Sequence, residues 1–589
     1  MPKIYRYYLI CLLFIVHVVK AEKIYLQLQG IKGELQEDVR SRLSMINTDE
    51  IDDIIYSEDL QERILKAIKI SLRVFGYYEP DITFNFYSNF SNKQVKKKQG
   101  SSILVVHVVL GKSIKIGGSS IIIDGDAKYD FEYQAWLRDN IPKIGDRLNH
   151  GKYDDFKKGL SNISLRLGYF DGEFKYNRLA IYVKRHKAFW EIRYNSGKRY
   201  HFDGVNFQGT QIRESYLQKI VPFKKGDPYN YNKILELNQR LSATDWFNSI
   251  MVKSQVNNNN YQTKVIKLNA LMSPRMKNII ESGIGYSTDI GPRLKGRWKK
   301  PWINDRGNSL ISNAYVSLLE RAIDIHYKIP LPKNPLEQYY TFSAALKNIF
   351  NNKTRSNTTI FSISRNWDNI NGWQKAIDLN WSLDHFSPHK STSTTILLYP
   401  GVSLYKNNAS GISMPKYGYA QHYWINISNT IWGSNVDFVI LRAQNIWIRT
   451  FAENHRFILR SSLGWIITNK FDNIPMSLRF FVGGDHSIRG YRYRSLSLRN
   501  NNGDLIGASK MATGSLEYQY NINNKWSSAI FIDSGEAVNN FKHSQSKIGV
   551  GFGFRWLSPI GAIKFDIAYP MINRNKHGIQ LYVGLGSEL

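Results

Sequence analysis

From residue 275 onward the chain alternates with a period of two, and this pattern limits the fold more than any other feature. In Ser515-Leu-Glu-Tyr-Gln-Tyr-Asn-Ile522, one face carries Leu516, Tyr518, Tyr520 and Ile522, and the other Ser515, Glu517, Gln519 and Asn521. Ile548, Val550, Phe552, Phe554 and Trp556 alternate with Gly549, Gly551, Gly553 and Arg555. Ile563, Phe565, Ile567 and Tyr569 alternate with Lys564, Asp566 and Ala568, and Leu379, Trp381 and Leu383 with Asn380, Ser382 and Asp384. Phe438, Ile440 and Arg442 fit the pattern less cleanly. One face suits lipid and the other a wet lumen. At about 20 residues per strand and connection, residues 275–589 supply roughly sixteen strands. A closed, even-stranded antiparallel barrel pairs every backbone group, as hydrocarbon requires. A soluble sandwich also alternates, but Trp298, Trp302, Trp424, Trp432, Trp447 and Trp465 fit the aromatic girdles of a membrane barrel better.

Before residue 275 the period is helical and the pattern repeats. Leu60, Ile64, Ile68 and Leu72 form a helix face that stops at Gly76-Tyr77-Tyr78. Phe156, Leu160, Ile163 and Leu167 repeat it before Gly168-Tyr169-Phe170, and Ile234, Leu237 and Leu241 before Asp245-Trp246-Phe247. In the third copy a strand over 200–209 precedes a helix over 212–221, a second helix, and strands near 250–253 and 265–271. This order resembles a POTRA domain, a β-α-α-β-β module. The expected organisation is a signal peptide at 1–21, POTRA modules at 22–108, 109–188 and 189–273, and a barrel at 274–589.

The signal reading rests on Lys3 and Arg6, the apolar run 7–19, and Val19-Lys20-Ala21 before Glu22. No later run reaches the ~18 apolar residues of a spanning helix. The single cysteine, Cys11, falls inside the signal, so no disulfide or thiolate site is expected in the mature chain. The net charge of +31 is spread along the whole chain rather than gathered on a nucleic-acid module, so no nucleic-acid partner is expected.

Motifs for chemistry dissolve under inspection. Gly549-Val-Gly-Phe-Gly553 has the period of a strand face, not of a phosphate loop, and leaves space in the lumen. Asp485-His486-Ser487 names a hydrolase triad, but contiguous residues do not reach triad geometry. The thirteen histidines show no metal-ligand spacing. No enzyme, cofactor or metal site is expected.

One loop stands out: Arg479-Phe-Phe-Val-Gly-Gly-Asp-His-Ser-Ile-Arg-Gly-Tyr491. Gly483, Gly484 and Gly490 permit tight turns, which would carry Arg489 and Tyr491 into the lumen. There a guanidinium can be accepted in two places by a carboxylate, and Glu517 and Asp533 lie on polar strand faces. The thirteen-residue pattern resembles the lumen loop of the outer-membrane assembly-factor superfamily. Within it, Gly283-Ile-Gly-Tyr-Ser-Thr-Asp-Ile-Gly-Pro-Arg293, Trp298-Lys-Lys-Pro-Trp302, Lys333-Asn-Pro-Leu-Glu-Gln-Tyr-Tyr340 and Tyr582-Val-Gly-Leu-Gly-Ser-Glu-Leu589 resemble the TamA family.

The resemblance implies a sixteen-stranded outer-membrane barrel with three periplasmic POTRA modules that assists insertion of other barrel proteins, notably autotransporters. It implies a TamB-like, inner-membrane-anchored partner, unfolded outer-membrane protein substrates, and contact with outer-membrane lipid, including a role in phospholipid traffic. It places a lumen latch at Arg489 with Asp533 and Glu517. It also places a lateral gate between the first strand, with Gly283, Gly285 and Tyr286, and the last, with Tyr582, Gly584 and Gly586. Glycines weaken both strands, and a poorly paired edge can template an incoming strand. The rivals are a two-partner-secretion transporter, which carries two modules and a plug helix, and a passive porin, which has no use for 250 residues of modules.

Overall fold

The computed structural model describes residues 24–45, 58–87, 102–255, 262–287, 291–351, 354–369, 372–388, 393–409, 414–501, 503–543, 545–559, 561–572 and 578–585. The expected signal peptide lies outside these residues.

Three small sheets share one topology. In the first, β1 (Ile24–Gln29), α1 (Glu34–Ser44), α2 (Glu58–Val74), β2 (Asp81–Tyr87) and β3 (Ser102–Val109) follow in order, and β3 lies between β1 and β2. Its β1 runs parallel to β3 and β2 antiparallel. The second repeats this with β4 (Lys115–Asp124), α3 (Phe131–Asn140), α4 (His150–Leu167), β5 (Glu173–Tyr182) and β6 (Lys187–Asn195). The third has β7 (His201–Gln208), α5 (Glu214–Leu217), α6 (Tyr231–Ala243), β8 (Phe247–Gln255) and β9 (Val265–Pro274), with β9 central.

Two expectations need correction. The division at 188/189 cuts through β6, the central strand, which pairs with both β4 and β5, so the second module continues to Asn195. The helix expected over 212–221 is a single α-helical turn at Glu214–Leu217; after it the backbone tightens, with Lys219 N–H donating to Tyr216 O and Ile220 N–H to Leu217 O, and Ile220 packs into the core.

The glycine-aromatic helix stops have a common backbone cause. Gly76 and Gly168 adopt φ of 85° and 88°, the left-handed conformation that ends a helix. Asp245 takes the same place with φ 63°. There the strain of a side-chain-bearing residue is offset by ion pairs from its carboxylate to Arg275 and Lys299. Next to it, Trp246 donates its indole N–H to Gly307 O at 3.1 Å, in a turn where Arg213 pairs with Asp305 at 2.6 Å.

Residues 279–585 form a closed barrel of sixteen described strands, from β10 (Ile279–Ser287) to β25 (Gln580–Leu585), each antiparallel to the next. Its outer face exposes the apolar half of each alternation, including Leu516, Ile530, Ile532, Phe552, Phe554, Phe565 and Ile567. Exposed Trp298, Trp432 and Trp465 extend that face. Trp424 does not belong to it: it is register-paired with Arg442, whose guanidinium donates inward to Leu478 O.

The lumen is wet only in part. Leu397, Tyr399, Phe438, Ile440 and Ile466 turn inward and pack against Ile474, Phe480, Val482, Ile488 and Tyr491 of the segment 468–509. That segment joins β20 (His455–Ile467) to β21 (Lys510–Asn521) and folds back into the barrel. The imperfect alternation at Phe438 and Ile440 is thereby explained, because their inward face meets a loop core rather than water.

Candidate functional site

The site is built by four consecutive strands and the loop they receive. On β21, β22 (Trp526–Val538), β23 (Lys547–Ser558) and β24 (Gly561–Pro570), the inward positions carry Ser515, Glu517, Phe531, Asp533, Gly549, Arg555 and Asp566. Period-two geometry puts all of them on one surface.

The loop reaches that surface through glycine. Gly483, Gly484 and Gly490 adopt φ of 117°, 99° and 92°. A Cβ on Gly549 would lie 1.9 Å from Arg489 O, so a bare strand position is what lets the loop backbone lie down.

Arg489, 2 % exposed, is then held from every side. Its Nε and Nη2 donate to the two carboxylate oxygens of Asp533 at 2.8 and 2.9 Å, and its own backbone N–H donates to Oδ2 at 2.9 Å. Its Nη1 donates to Glu517 Oε2 at 2.7 Å and to Asp566 Oδ2 at 3.3 Å, and Nη2 reaches Ser515 Oγ at 3.3 Å. The Phe531 ring centroid lies 3.3 Å from its Cζ.

Three acids facing one arginine would repel one another, and further cations answer them. Arg555 donates to Glu517 Oε1 and Asp566 Oδ1, both at 2.6 Å, and Arg460 reaches Glu517 Oε2 at 3.1 Å. Three guanidiniums thus face three carboxylates, the balance that a buried ionic network needs. Chemically the arrangement holds a loop in place; its charged groups are all occupied with one another.

Arg489, Glu517 and Asp533, expected together from the sequence, are in direct contact. Asp566, Arg555, Arg460 and Ser515 were missed. Their signal was present, since each is a polar residue on the inward face of an alternating strand, but several such faces existed and only the barrel's closure selects the ones that meet the loop. Tyr491 is fully buried and donates its hydroxyl to Ile548 O at 3.1 Å and Ile572 O at 3.0 Å.

The gate residues are placed less uniformly. Among the described residues β10 and β25 share two register pairs, Tyr286 with Val583 and Ser287 with Tyr582. By contrast, β10 has nine with β11 (Gly291–Lys300). Gly283 and Gly285 pair with β11, and Gly584 pairs with Lys564 of β24. Gly586 lies outside the described residues. Tyr286 is exposed outward, whereas Tyr582 belongs to the loop site: its side chain is buried, and its hydroxyl accepts from Gly490 N at 3.2 Å.

With this geometry established, likeness to known proteins can be weighed. Residues 278–588 match the Omp85 superfamily domain, residues 25–97 match the family described as POTRA domain TamA domain 1, and residues 200–270 match the POTRA family described as surface antigen variable number repeat. The outer membrane protein assembly factor BamA of Nitratidesulfovibrio vulgaris is 21 % identical over 465 residues, 76 % of this chain and 56 % of that protein. BamA of Neorickettsia risticii is 20 % identical over 426 residues, 64 % of this chain and 53 % of its own. The chain therefore spans about half the length of these curated relatives. The crystal structure of BamA from Haemophilus ducreyi lacking POTRA domains 1–3 superposes with a TM-score of 0.66 at 15 % identity, over 80 % of this chain and 99 % of that one.

Proposed function

The chain belongs to the Omp85 superfamily, and we propose that within it this protein is a TamA-type assembly factor that helps other outer-membrane proteins, such as autotransporters, into the membrane. It is an outer-membrane barrel with POTRA modules in the periplasm. Three repeated modules and the match of the first to a TamA module support the finer reading. That reading brings with it a TamB-like periplasmic partner, unfolded outer-membrane protein substrates, and contact with membrane lipid. It involves no catalysed reaction.

One observation carries the mechanism. The closing strands share two register pairs among the described residues, while the wall strands opposite the loop pair along their lengths. If the two closing strands part, each presents backbone donors and acceptors that an incoming strand can satisfy by augmentation, and the glycines on their lumen side weaken the seam. The lumen offers no comparable route at the loop end, because segment 468–509 and its apolar core occupy it. This favours lateral exit over passage along the axis, and so disfavours both a porin and an axial polypeptide transporter.

The test uses register partners. Cysteines at Tyr286 and Val583, in a chain whose one native cysteine is Cys11, should form a disulfide across the seam and abolish assembly of a barrel substrate until reductant is added. Full activity of the locked barrel overturns lateral exit. Co-purification of the native chain with a TamB-like protein checks the finer assignment, and recovery with a dedicated exoprotein instead would replace it.

A further inference from the structure

The loop does not stop at the wall that holds Arg489; it crosses the seam. On the far side, Asp485 Oδ2 accepts from Arg293 Nη1 of β11 at 2.9 Å, with both side chains nearly buried. Further along, Tyr493 donates its hydroxyl to Glu320 Oε2 at 3.0 Å, and Arg494 lies 4.0 Å from the same oxygen. Glu320 opens β13 (Glu320–Pro330), three strands past β10. On the near side the same loop is fixed to β25 through Tyr582 and to β21, β22 and β24 through Arg489.

We propose that Asp485 and Arg293 form a clasp, seconded by Tyr493 and Glu320, through which the lumen loop holds the two sides of the seam together, where β10 and β25 share two register pairs among the described residues. Asp485, Arg293, Tyr493 and Glu320 are thus positioning residues for the closed barrel. This rests on the lateral-exit reading for its use, though not for its geometry.

Three observations support it beyond the ion pair. The floor beneath the clasp is bare: Gly283, Gly285 and Gly584 present no side chains, so the closing strands contribute little lumen packing of their own. A Cβ on Gly584 would meet Lys564 Cε at 3.2 Å and Arg293 Nη2 at 3.6 Å, so the long side chains of β24 and β11 reach over the last strand from its two sides. Finally, Asp485 stands among basic groups: Arg293 on Oδ2, the His486 Nε2 3.7 Å from Oδ1, and Lys564 nearby; among the described residues its buried Oδ1 makes no hydrogen bond. Arg293 makes the one hydrogen-bonded ion pair to this carboxylate among the described residues, so losing it should free the loop at this point.

The clasp also explains why the two halves of the loop differ. Arg489 is locked by six side-chain and backbone bonds on one wall, whereas the other half is held by single contacts. Opening the seam therefore needs only the weaker half to let go, with the loop remaining anchored to β21–β24.

The experiment measures the seam itself. In the full chain carrying the Tyr286→Cys and Val583→Cys pair, disulfide yield under mild oxidation in native membranes reports how closely β10 and β25 lie. Asp485→Asn or Arg293→Gln should lower the yield several-fold, and Glu320→Gln less. The exchanged pair Arg293→Asp with Asp485→Arg should recover at least part of it. Fast migration of the unheated barrel in detergent gels verifies that each variant is folded; a variant that is not folded is replaced by Tyr493→Phe, which removes only a hydroxyl. Unchanged yield in the folded single variants, or an exchanged pair no better than either single, overturns the clasp. A locked barrel that keeps full assembly activity overturns lateral exit and leaves the clasp standing, so the two failures are distinct.

Discussion

The wall formed by β21–β24 and the seam between β10 and β25 belong to one barrel and are held by different physics. The wall strands pair along most of their length, ten partners between β22 and β23 for example, and their inward face carries a network of three arginines and three carboxylates. Among the described residues the seam has two pairs, with glycine on its lumen side. Where backbone pairing is complete, side chains are released to anchor a loop. At the seam, the loop adds contacts of its own on both sides, to Arg293 and to Tyr582. The two halves of one loop are thus held differently, according to the strands that each half faces.

The comparison can be broken most severely at Arg489. Arg489→Ala leaves Asp533 buried without its cation, which costs about 3–5 kcal/mol. The barrel should still insert, but segment 468–509 should become protease-sensitive and assembly should fail; a protected loop would show that the network is dispensable. Gly549→Ala comes next. Its Cβ would meet a backbone carbonyl rather than a movable side chain, so overpacking of about 1–3 kcal/mol is expected, read as a lower temperature for loss of the fast-migrating form in unheated gels. Phe531→Leu keeps bulk but removes the ring under the guanidinium, and should cost about 1 kcal/mol in the same assay. Smallest is Gly283→Ala at the seam. The nearest atom to its added Cβ is Lys295 Cβ at 3.9 Å, and removing a strand glycine should stabilise by up to about 1 kcal/mol. Its interest lies in function: if the seam must open, this slightly more stable barrel should assemble substrate more slowly. The two glycine variants sharpen the contrast, since the same change should harm the wall and firm the seam.

Much of this was readable in advance, for identifiable reasons. Alternation over residues such as Leu516 to Ile522 fixes which face of a strand is apolar, and that is a local property of the backbone. The helix stops at Gly76 and Gly168 were equally local, and Asp245 was found because it repeated their context. What misled was also local: Phe438 and Ile440 looked irregular because their inward face meets a loop core that arrives from about forty residues away. Tyr582, expected at the seam, pairs there with Ser287 and also accepts from Gly490 of the loop, a second contact that its strand does not announce. Asp485 looked like an idle polar residue beside His486; its partner, Arg293, is 192 positions distant.

The sequence by itself determined the modules, the strands and their two faces, and the presence of a loop built to enter a lumen, because periodicity and glycine conformation act over a few residues. Only the tertiary structure decided which carboxylates receive Arg489, in what register the first and last strands meet, and that one loop touches both sides of their junction. Those are consequences of closure: joining β10 to β25 sets residues some three hundred positions apart side by side, and no pattern along the chain encodes which of them will touch.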